Sequence, residues 1–190
     1  FHNNLRHDKN ANIIWSTGNK YQGEFQKDKM TGKGRFIWDD GDEYVGDFID
    51  DKVSGHGILK TKKFIYKGEL LNRAFHRYGK LTDFENKTTY EGEFWDGLKR
   101  GKGKIIYETG TIYEGEFLEN LPHGIGRRID PNGVIYEGEF RKGVAHGHGK
   151  IFTESMPIYE GIFFGNRVEK EKMWIDEQGN KFEFDSPDDN

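Results

Sequence analysis

The sequence predicts an all-β protein built from consecutive antiparallel β-hairpins, and three observations carry that prediction. The first is a phrase that returns seven times. It reads Tyr21-Gln-Gly-Glu-Phe25, Tyr44-Val-Gly-Asp-Phe48, Tyr66-Lys-Gly-Glu-Leu70, Tyr90-Glu-Gly-Glu-Phe94, Tyr113-Glu-Gly-Glu-Phe117, Tyr136-Glu-Gly-Glu-Phe140 and Tyr159-Glu-Gly-Ile-Phe163. The tyrosines are 23, 22, 24, 23, 23 and 23 residues apart. A fixed period of this size marks a stack of small equivalent units, not a globule with one core. The second observation is alternation. Tyr113, Gly115 and Phe117 share one face of an extended segment, and Glu114 and Glu116 share the other. The third is the short connection Leu118 to His123, which allows no crossover, so the strands on either side must pair antiparallel.

Taken in order, residues 1–20 supply an N-terminal half-hairpin cap, with Asn12-Ile-Ile-Trp15 as its strand. The repeat array spans 21–168, with repeats starting near 21, 44, 66, 90, 113, 136 and 159. In the type unit, Tyr113 to Ile135, the first strand is followed by Gly124-Ile-Gly126 and a second strand running through Ile129. A turn at Asp130-Pro-Asn-Gly133 leads to the next unit. Gly18, Gly41, Gly110 and Gly133 sit three residues before a tyrosine, and Gly179 sits three before Phe182. A positive φ in that turn explains the choice. Asp28, Asp51, Gly97, Asn120, Gly143 and Asn166 share one position in the other turn, and these types tolerate the left-handed region. The pairs Gly32/Gly34, Gly55/Gly57, Gly101/Gly103, Gly124/Gly126 and Gly147/Gly149 predict slots in which an aromatic ring lies flat on the backbone.

Two units depart from the pattern. In the third, Leu70 replaces the aromatic and Arg77-Tyr78-Gly79 replaces Gly-x-Gly, which predicts a local bend or altered twist. In the seventh, Lys170-Glu-Lys172 stands where the glycines belong. Met173-Trp-Ile175 and Lys181-Phe-Glu-Phe184 follow, so 169–184 reads as a degenerate C-terminal cap of the kind a repeat array needs. Residues 185–190 read as a disordered tail.

The Tyr-x-Gly-Glu-Phe phrase, followed by Gly-x-Gly at a 23-residue period, resembles the MORN repeat (membrane occupation and recognition nexus) over about residues 21 to 165. The resemblance implies an elongated, twisted, single-layer antiparallel sheet of successive hairpins. It also implies a scaffold that binds partner segments, in some cases with end-to-end self-association. Arrays of this kind occur in ciliary radial spokes, cytoskeletal structures, junctional membrane proteins and lipid kinases.

Composition narrows the function classes. Hydrophobic residues make up 33% and aromatics 15%, so the apolar area must come largely from rings. There is no cysteine, hence no disulfide or thiolate metal site, which fits a reducing compartment. The net charge of −4 argues against a nucleic-acid partner. No apolar run approaches the ~18 residues of a membrane span. The chain begins at Phe1, so it reads as a fragment of a longer protein, a larger enzyme being one setting.

No catalytic residue, cofactor site or metal site emerges, and the expectation is a non-enzyme. Gly101-Lys-Gly103 has no third glycine and no following helix pattern, so it is a repeat feature and not a phosphate loop. Glu91, Glu93, Glu114, Glu116, Glu137 and Glu139 face Lys102, Lys104, Arg127 and Lys150 by parity, which favours cross-strand ion pairs over acid–base chemistry. His146 and His148 lack a third ligand.

Two binding surfaces compete. The aromatic face, with Tyr90, Phe94, Tyr113, Phe117, Tyr136 and Phe140, predicts a groove for an amphipathic helix or extended peptide of a partner protein. A single-layer sheet has too few partners to bury that face, so curling, a homodimer or a ligand must cover it. Seven hairpins would make the groove about 65 Å long. The rival is an anionic lipid headgroup site. Lys60, Lys62, Lys63, Lys67, Arg73, Arg77 and Lys80 stand against one acid, Glu69. The sequence reading is therefore a cytoplasmic scaffold in a cytoskeletal or ciliary assembly, with a peripheral membrane tether as the alternative.

Overall fold

The computed structural model describes residues 7–153, 158–175 and 180–183. The chain forms two compact units, Phe1–Leu98 and Lys99–Asn190. The first holds β1 (Asp8–Ile14), β2 (Lys20–Gln26), β3 (Lys29–Ile37), β4 (Glu43–Ile49), β5 (Lys52–Lys60), β6 (Phe64–Leu71), β7 (Ala74–Asp83) and β8 (Thr88–Trp95). The second holds β9 (Leu98–Ile106), β10 (Ile112–Leu118), β11 (Leu121–Ile129), β12 (Ile135–Arg141), β13 (Val144–Phe152), β14 (Ile158–Phe164), β15 (Arg167–Ile175) and β16 (Lys181–Glu183). Within each unit every strand pairs antiparallel with its sequence neighbours, hairpin after hairpin, and no helix occurs among the described residues. The all-β, consecutive-hairpin prediction holds.

Two kinds of turn make this possible. The tight hairpins close on Lys27–Asp28, Asp50–Asp51, Asn72–Arg73, Glu119–Asn120, Lys142–Gly143 and Gly165–Asn166, all with positive φ. Two consecutive positive φ values are the type I′ geometry, whose twist matches that of the strands. Gly97 shares the feature at +81°. In the wider turns Gly18, Gly41, Gly110 and Gly133 lie at +96°, +91°, +86° and +83°, as predicted. Gly179 lies outside the described residues.

The tight turns also join one hairpin to the previous one. The Asp51, Asn120 and Asn166 side chains accept hydrogen bonds from the Met30, Lys99 and Ala145 amides at 2.8, 3.0 and 2.8 Å. The turn amides of these three return bonds to the same three residues' carbonyls. Where the partner is Pro122, which has no N–H to give, the turn residue is Gly143, which has no side chain to accept one.

The core is the aromatic ladder itself. Tyr113 meets Phe117 edge-on at 5.1 Å and Phe140 of the next unit at 4.7 Å. Tyr136 repeats this with Phe140 and Phe163, and Tyr21 with Phe25 and Phe48. Each phenol is buried yet satisfied, because its hydroxyl donates to the carbonyl three residues on. Tyr113 donates to Glu116 at 2.8 Å, and Tyr90 to Glu93 at the same distance.

The two glycines of Gly-x-Gly have separate jobs, which corrects the expectation that both form the ring slot. The second is the slot: a Cβ at Gly126 would stand 2.5 Å from Cε2 of Tyr113. The first sits in a β-bulge, where the ladder slips between Gly115 and Glu116. Gly32, Gly55, Gly101, Gly124 and Gly147 all have positive φ there. In three units the acid of the phrase caps the bulge, with the Lys33, His56 and His148 amides donating to Glu24, Asp47 and Glu139.

The third repeat keeps this register. Arg77 occupies the bulge position with φ of +51°, and Gly79 still forms the slot for Tyr66. Arg77 stands at the position of the bulge glycine, so the ladder keeps its pairing through the third repeat. Its guanidinium lies 3.5 Å from Glu69, where the first, second, fifth and sixth repeats leave a bare glycine against an acid. Phe75 stacks on Tyr66 at 4.0 Å beside the position where Leu70 is short of a ring.

At the termini, β1 pairs with β2, and β15 pairs with β16 through Met173 to Ile175. Residues 1–6, Phe184 and the tail 185–190 lie outside the described residues.

Candidate functional site

The six rings expected to line a groove are interior. Tyr90, Phe94, Tyr113, Phe117, Tyr136 and Phe140 are each at most 3% exposed. The premise that a single-layer sheet cannot cover its own aromatic face fails for a local reason. Tyr113 and Tyr136 each lie over the glycine slot of the following strand and are closed in by phenylalanines on both sides. The rings are coverage, not open surface.

An open groove does exist in the first unit, and other residues build it. Its floor is Phe25, Met30, Phe36, Phe48 and Val53. One wall is Trp15 and Trp38, each half-buried at the head of a wide turn. The Gly18 and Gly41 amides bond back to the Trp15 and Trp38 carbonyls at 2.9 and 3.1 Å, which fixes where each indole starts. The opposite wall is the row of tight turns, contributing Asp28, Asp51 and Arg73. Trp15 and Trp38 both touch Phe36, at 5.7 and 4.8 Å between ring centres. Two cavities of about 720 and 360 Å³ follow one another along the groove and share Met30, Phe36 and Asp51. That volume is in the range of ligand clefts. Asp28 lies at the Trp15 end, Lys52 and Arg73 at the other, and Asp51 where the two cavities meet. The Arg73 guanidinium lies over Trp38 at 4.1 Å and bridges the walls at that end.

The second unit has a smaller counterpart of about 260 Å³, lined by Tyr107, Thr111, Pro122, Arg128 and Phe140 among others. Arg128 faces Tyr136 across the ladder, where other repeats place Phe36, Leu59, Leu81 and Ile151. It is anchored by Asn166 at 3.1 Å and paired with Asp130 at 3.3 Å.

The basic residues of the lipid-site expectation do not converge. Lys60, Lys62 and Lys63 gather at the β5–β6 turn, and Lys63 pairs with Glu85 at 3.0 Å. Arg73 is in a tight turn at the opposite edge of the sheet. Lys67 and Arg77 are exposed within the sheet, on β6 and β7. The outer-face charges pair across strands as expected. Glu137 lies 3.1 Å from Arg127 and 3.0 Å from Lys150, and Glu114 lies 3.9 Å from Lys104. Among the described residues no cluster of His, Asp and Glu could hold a metal. His146 packs on Phe164.

The sequence reading takes Trp15 only as part of the cap and passes over Trp38. The signal was present: the two are 23 residues apart, one full period. Continuing that step gives Thr61, Phe84, Tyr107, Asp130 and Thr153, so the wall position varies while the tyrosines do not.

Hairpin units with a recurrent buried ladder and a variable groove wall define a β-hairpin repeat array. The MORN repeat family model matches residues 21–43, 44–62, 90–112, 113–135 and 136–152, more than half of the chain. The chain belongs to the MORN-repeat family. The two phrases left unmatched are those whose Gly-x-Gly is altered. Among solved structures, the TCP domain of Drosophila melanogaster SAS-4 (dCPAP), in complex with a proline-rich motif of Ana2 (dSTIL), is similar in fold. Its TM-score is 0.52 at 11% identity, over 93% of this chain and 90% of that one. Virginiamycin B lyase from Staphylococcus aureus aligns over 94% of this chain and 70% of its own, at 11% identity and a TM-score of only 0.20. No curated protein matches the sequence.

Proposed function

We propose that this chain is a non-catalytic scaffold that holds a segment of a partner protein in the groove between Trp15, Trp38 and the tight turns of the first unit, in a cytoskeletal or ciliary assembly. The observation that carries the reading is a contiguous, aromatic-walled groove on a fold whose own rings are already buried. Half-buried tryptophans in a concave apolar setting are what partner segments anchor on. The similar fold of SAS-4, held in complex with a proline-rich motif, supports an extended segment as the kind of partner such a sheet accommodates. Of the basic residues in the lipid-site reading, Lys60, Lys62 and Lys63 lie at one edge of the sheet, Arg73 at the other, and Lys67 and Arg77 between them, whereas the groove is one contiguous surface.

The test is selection from a displayed random-peptide library on the purified chain, followed by Trp15→Thr and Trp38→Thr. Thr61 already occupies the equivalent position in another repeat, so both variants should fold. Selected peptides should lose about tenfold or more in affinity for either variant. Peptides that bind the double variant undiminished would place the working surface elsewhere.

A further inference from the structure

We propose that the ligand of this groove is a proline-rich segment in the polyproline II conformation, with two prolines three residues apart seated against Trp15 and Trp38 and a basic residue beside Asp28 and Asp51. The proposal rests on the partner-segment reading above and gives it a chemical class and a register.

The first argument is period. The groove runs across the strands, from Ile13 and Trp15 at β1 to Arg73 beyond β6. Trp15 and Trp38 hold the same position in successive hairpins, so they are two strand spacings apart, about 9.6 Å. A ligand lying along the groove must return the same face after that distance. Polyproline II has three residues per turn and rises 3.1 Å each, about 9.3 Å per turn, so residues i and i+3 present one face in step with the indoles. In an α-helix residue i+7 returns to within about 20° of the same face at about 10.5 Å, overshooting the indole spacing by about 0.9 Å where polyproline II falls short by about 0.3 Å. An extended strand covers it in about three residues, and an odd step turns the side chain to the opposite face. Of the regular conformations, polyproline II matches the spacing most closely.

The second argument is polarity. The floor of Phe25, Met30, Phe36, Phe48 and Val53 offers side chains that cannot hydrogen-bond a ligand's backbone. A strand or an irregular peptide would bury N–H groups there at a cost. Proline carries no N–H, and the polyproline II backbone makes no internal hydrogen bonds that need shielding.

The third argument is extent and charge. The wall position reads Trp15, Trp38 and then Thr61, so two successive sites carry a ring and the third does not. Arg73 over Trp38 closes that end. The charged residues lining the cavity on the Trp15 side are Asp28 and, where the two cavities meet, Asp51, one oxygen of Asp51 taking the Met30 amide at 2.8 Å. That cavity complements a Lys or Arg of the ligand.

The experiment uses the full chain with labelled tryptophan indoles, followed by NMR during titration with synthetic peptides. The peptides carry two prolines separated by two, three or four positions beside an arginine, in both orientations, together with an amphipathic helix-forming peptide. The three-position spacing should bind best and shift the Trp15 and Trp38 indoles, while Trp95 stays still. Changing the spacing should weaken binding about tenfold. Asp28→Asn with Asp51→Asn keeps the turns, since Asn120 and Asn166 serve in that position, and should abolish the preference for arginine over alanine. Equal binding at every spacing overturns the register, and an arginine preference that survives the double substitution overturns the charge assignment. If the helical peptide moves the two indoles and the proline peptides do not, polyproline II falls while the groove stands. If no peptide moves them, the partner-segment reading falls as well.

Discussion

Replacing Gly126 with alanine tests the physical basis of the repeat most sharply. Its backbone does not need glycine's conformational freedom, so the penalty is steric. The added Cβ would stand 2.5 Å from Cε2 of Tyr113 and 2.6 Å from Cζ. Carbon atoms pack best at about 3.5–4.0 Å, so the ring would have to retreat by about 1 Å. It has nowhere to go: Tyr113 is 1% exposed and wedged between Phe117 and Phe140. Moving the ring also breaks its hydroxyl bond to the Glu116 carbonyl. Overpacking of this kind costs about 1–3 kcal/mol and the hydrogen bond about 1 more, so the sum is about 2–4 kcal/mol. Urea unfolding followed by circular dichroism measures it. The control is a double-mutant cycle with Tyr113→Leu. Without the ring, Gly126→Ala should cost less than about 1 kcal/mol. An equal cost in both backgrounds would refute the slot. Gly133→Ala offers a contrast, because open space surrounds that position and φ is +83°; its cost of about 1–2 kcal/mol is conformational and should not depend on any ring.

Further predictions concern the turns, the surface and pH. Asn120→Gly keeps the left-handed turn and deletes the acceptor for the Lys99 amide, so it should cost about 1 kcal/mol in the same unfolding assay. Glu137→Gln removes the acid between Arg127 and Lys150, yet exposed cross-strand pairs are weak; a loss below about 1 kcal/mol, fading with salt, is expected. Burial pushes the hydroxyls of Tyr21, Tyr44, Tyr66 and Tyr136 up to about 12, and those of Tyr90 and Tyr113 in the same direction. Unfolded tyrosines ionise near 10, so the fold holds protons that the unfolded chain releases. This contribution is complete below about pH 10 and is lost as pH rises through 12. In a Tyr78→Phe background, which removes the exposed phenol, stability measured between pH 9 and 12 should fall as tyrosinate forms, and ionisation of the six ladder tyrosines without loss of structure would contradict it.

Most of the fold was legible because backbone requirements leave a mark at fixed spacing. Tyr-x-Gly-Glu-Phe alternates with period two, and positions such as Gly133 and Asn120 betray positive φ by residue type. What the residue types could not say was how the surface closes. Gly124 and Gly126 look alike in sequence, yet one bends the strand and the other receives a ring. The burial of Tyr113 and Phe140 depends on three-dimensional contacts between adjacent hairpins, so an aromatic stripe read as surface became core. The groove was readable in part. Trp15 and Trp38 obey the 23-residue step, but their position is occupied by Thr61, Asp130 and Thr153 elsewhere, and a search for the constant residues overlooks a wall that varies. The floor residues Met30 and Val53 keep the 23-residue step too, but Pro122 and Ala145 hold that position elsewhere, so no residue type marks it.

The central claim, that a partner segment seats between Trp15 and Trp38, is tested most directly by the tryptophan indole signals of the intact chain during titration with a library-selected peptide. Trp95, 58% exposed on β8, is the internal control. The account predicts that Trp15 and Trp38 shift together and saturate at the same peptide concentration while Trp95 stays in place. Saturable binding that moves Trp95, or leaves both groove indoles unmoved, would contradict it.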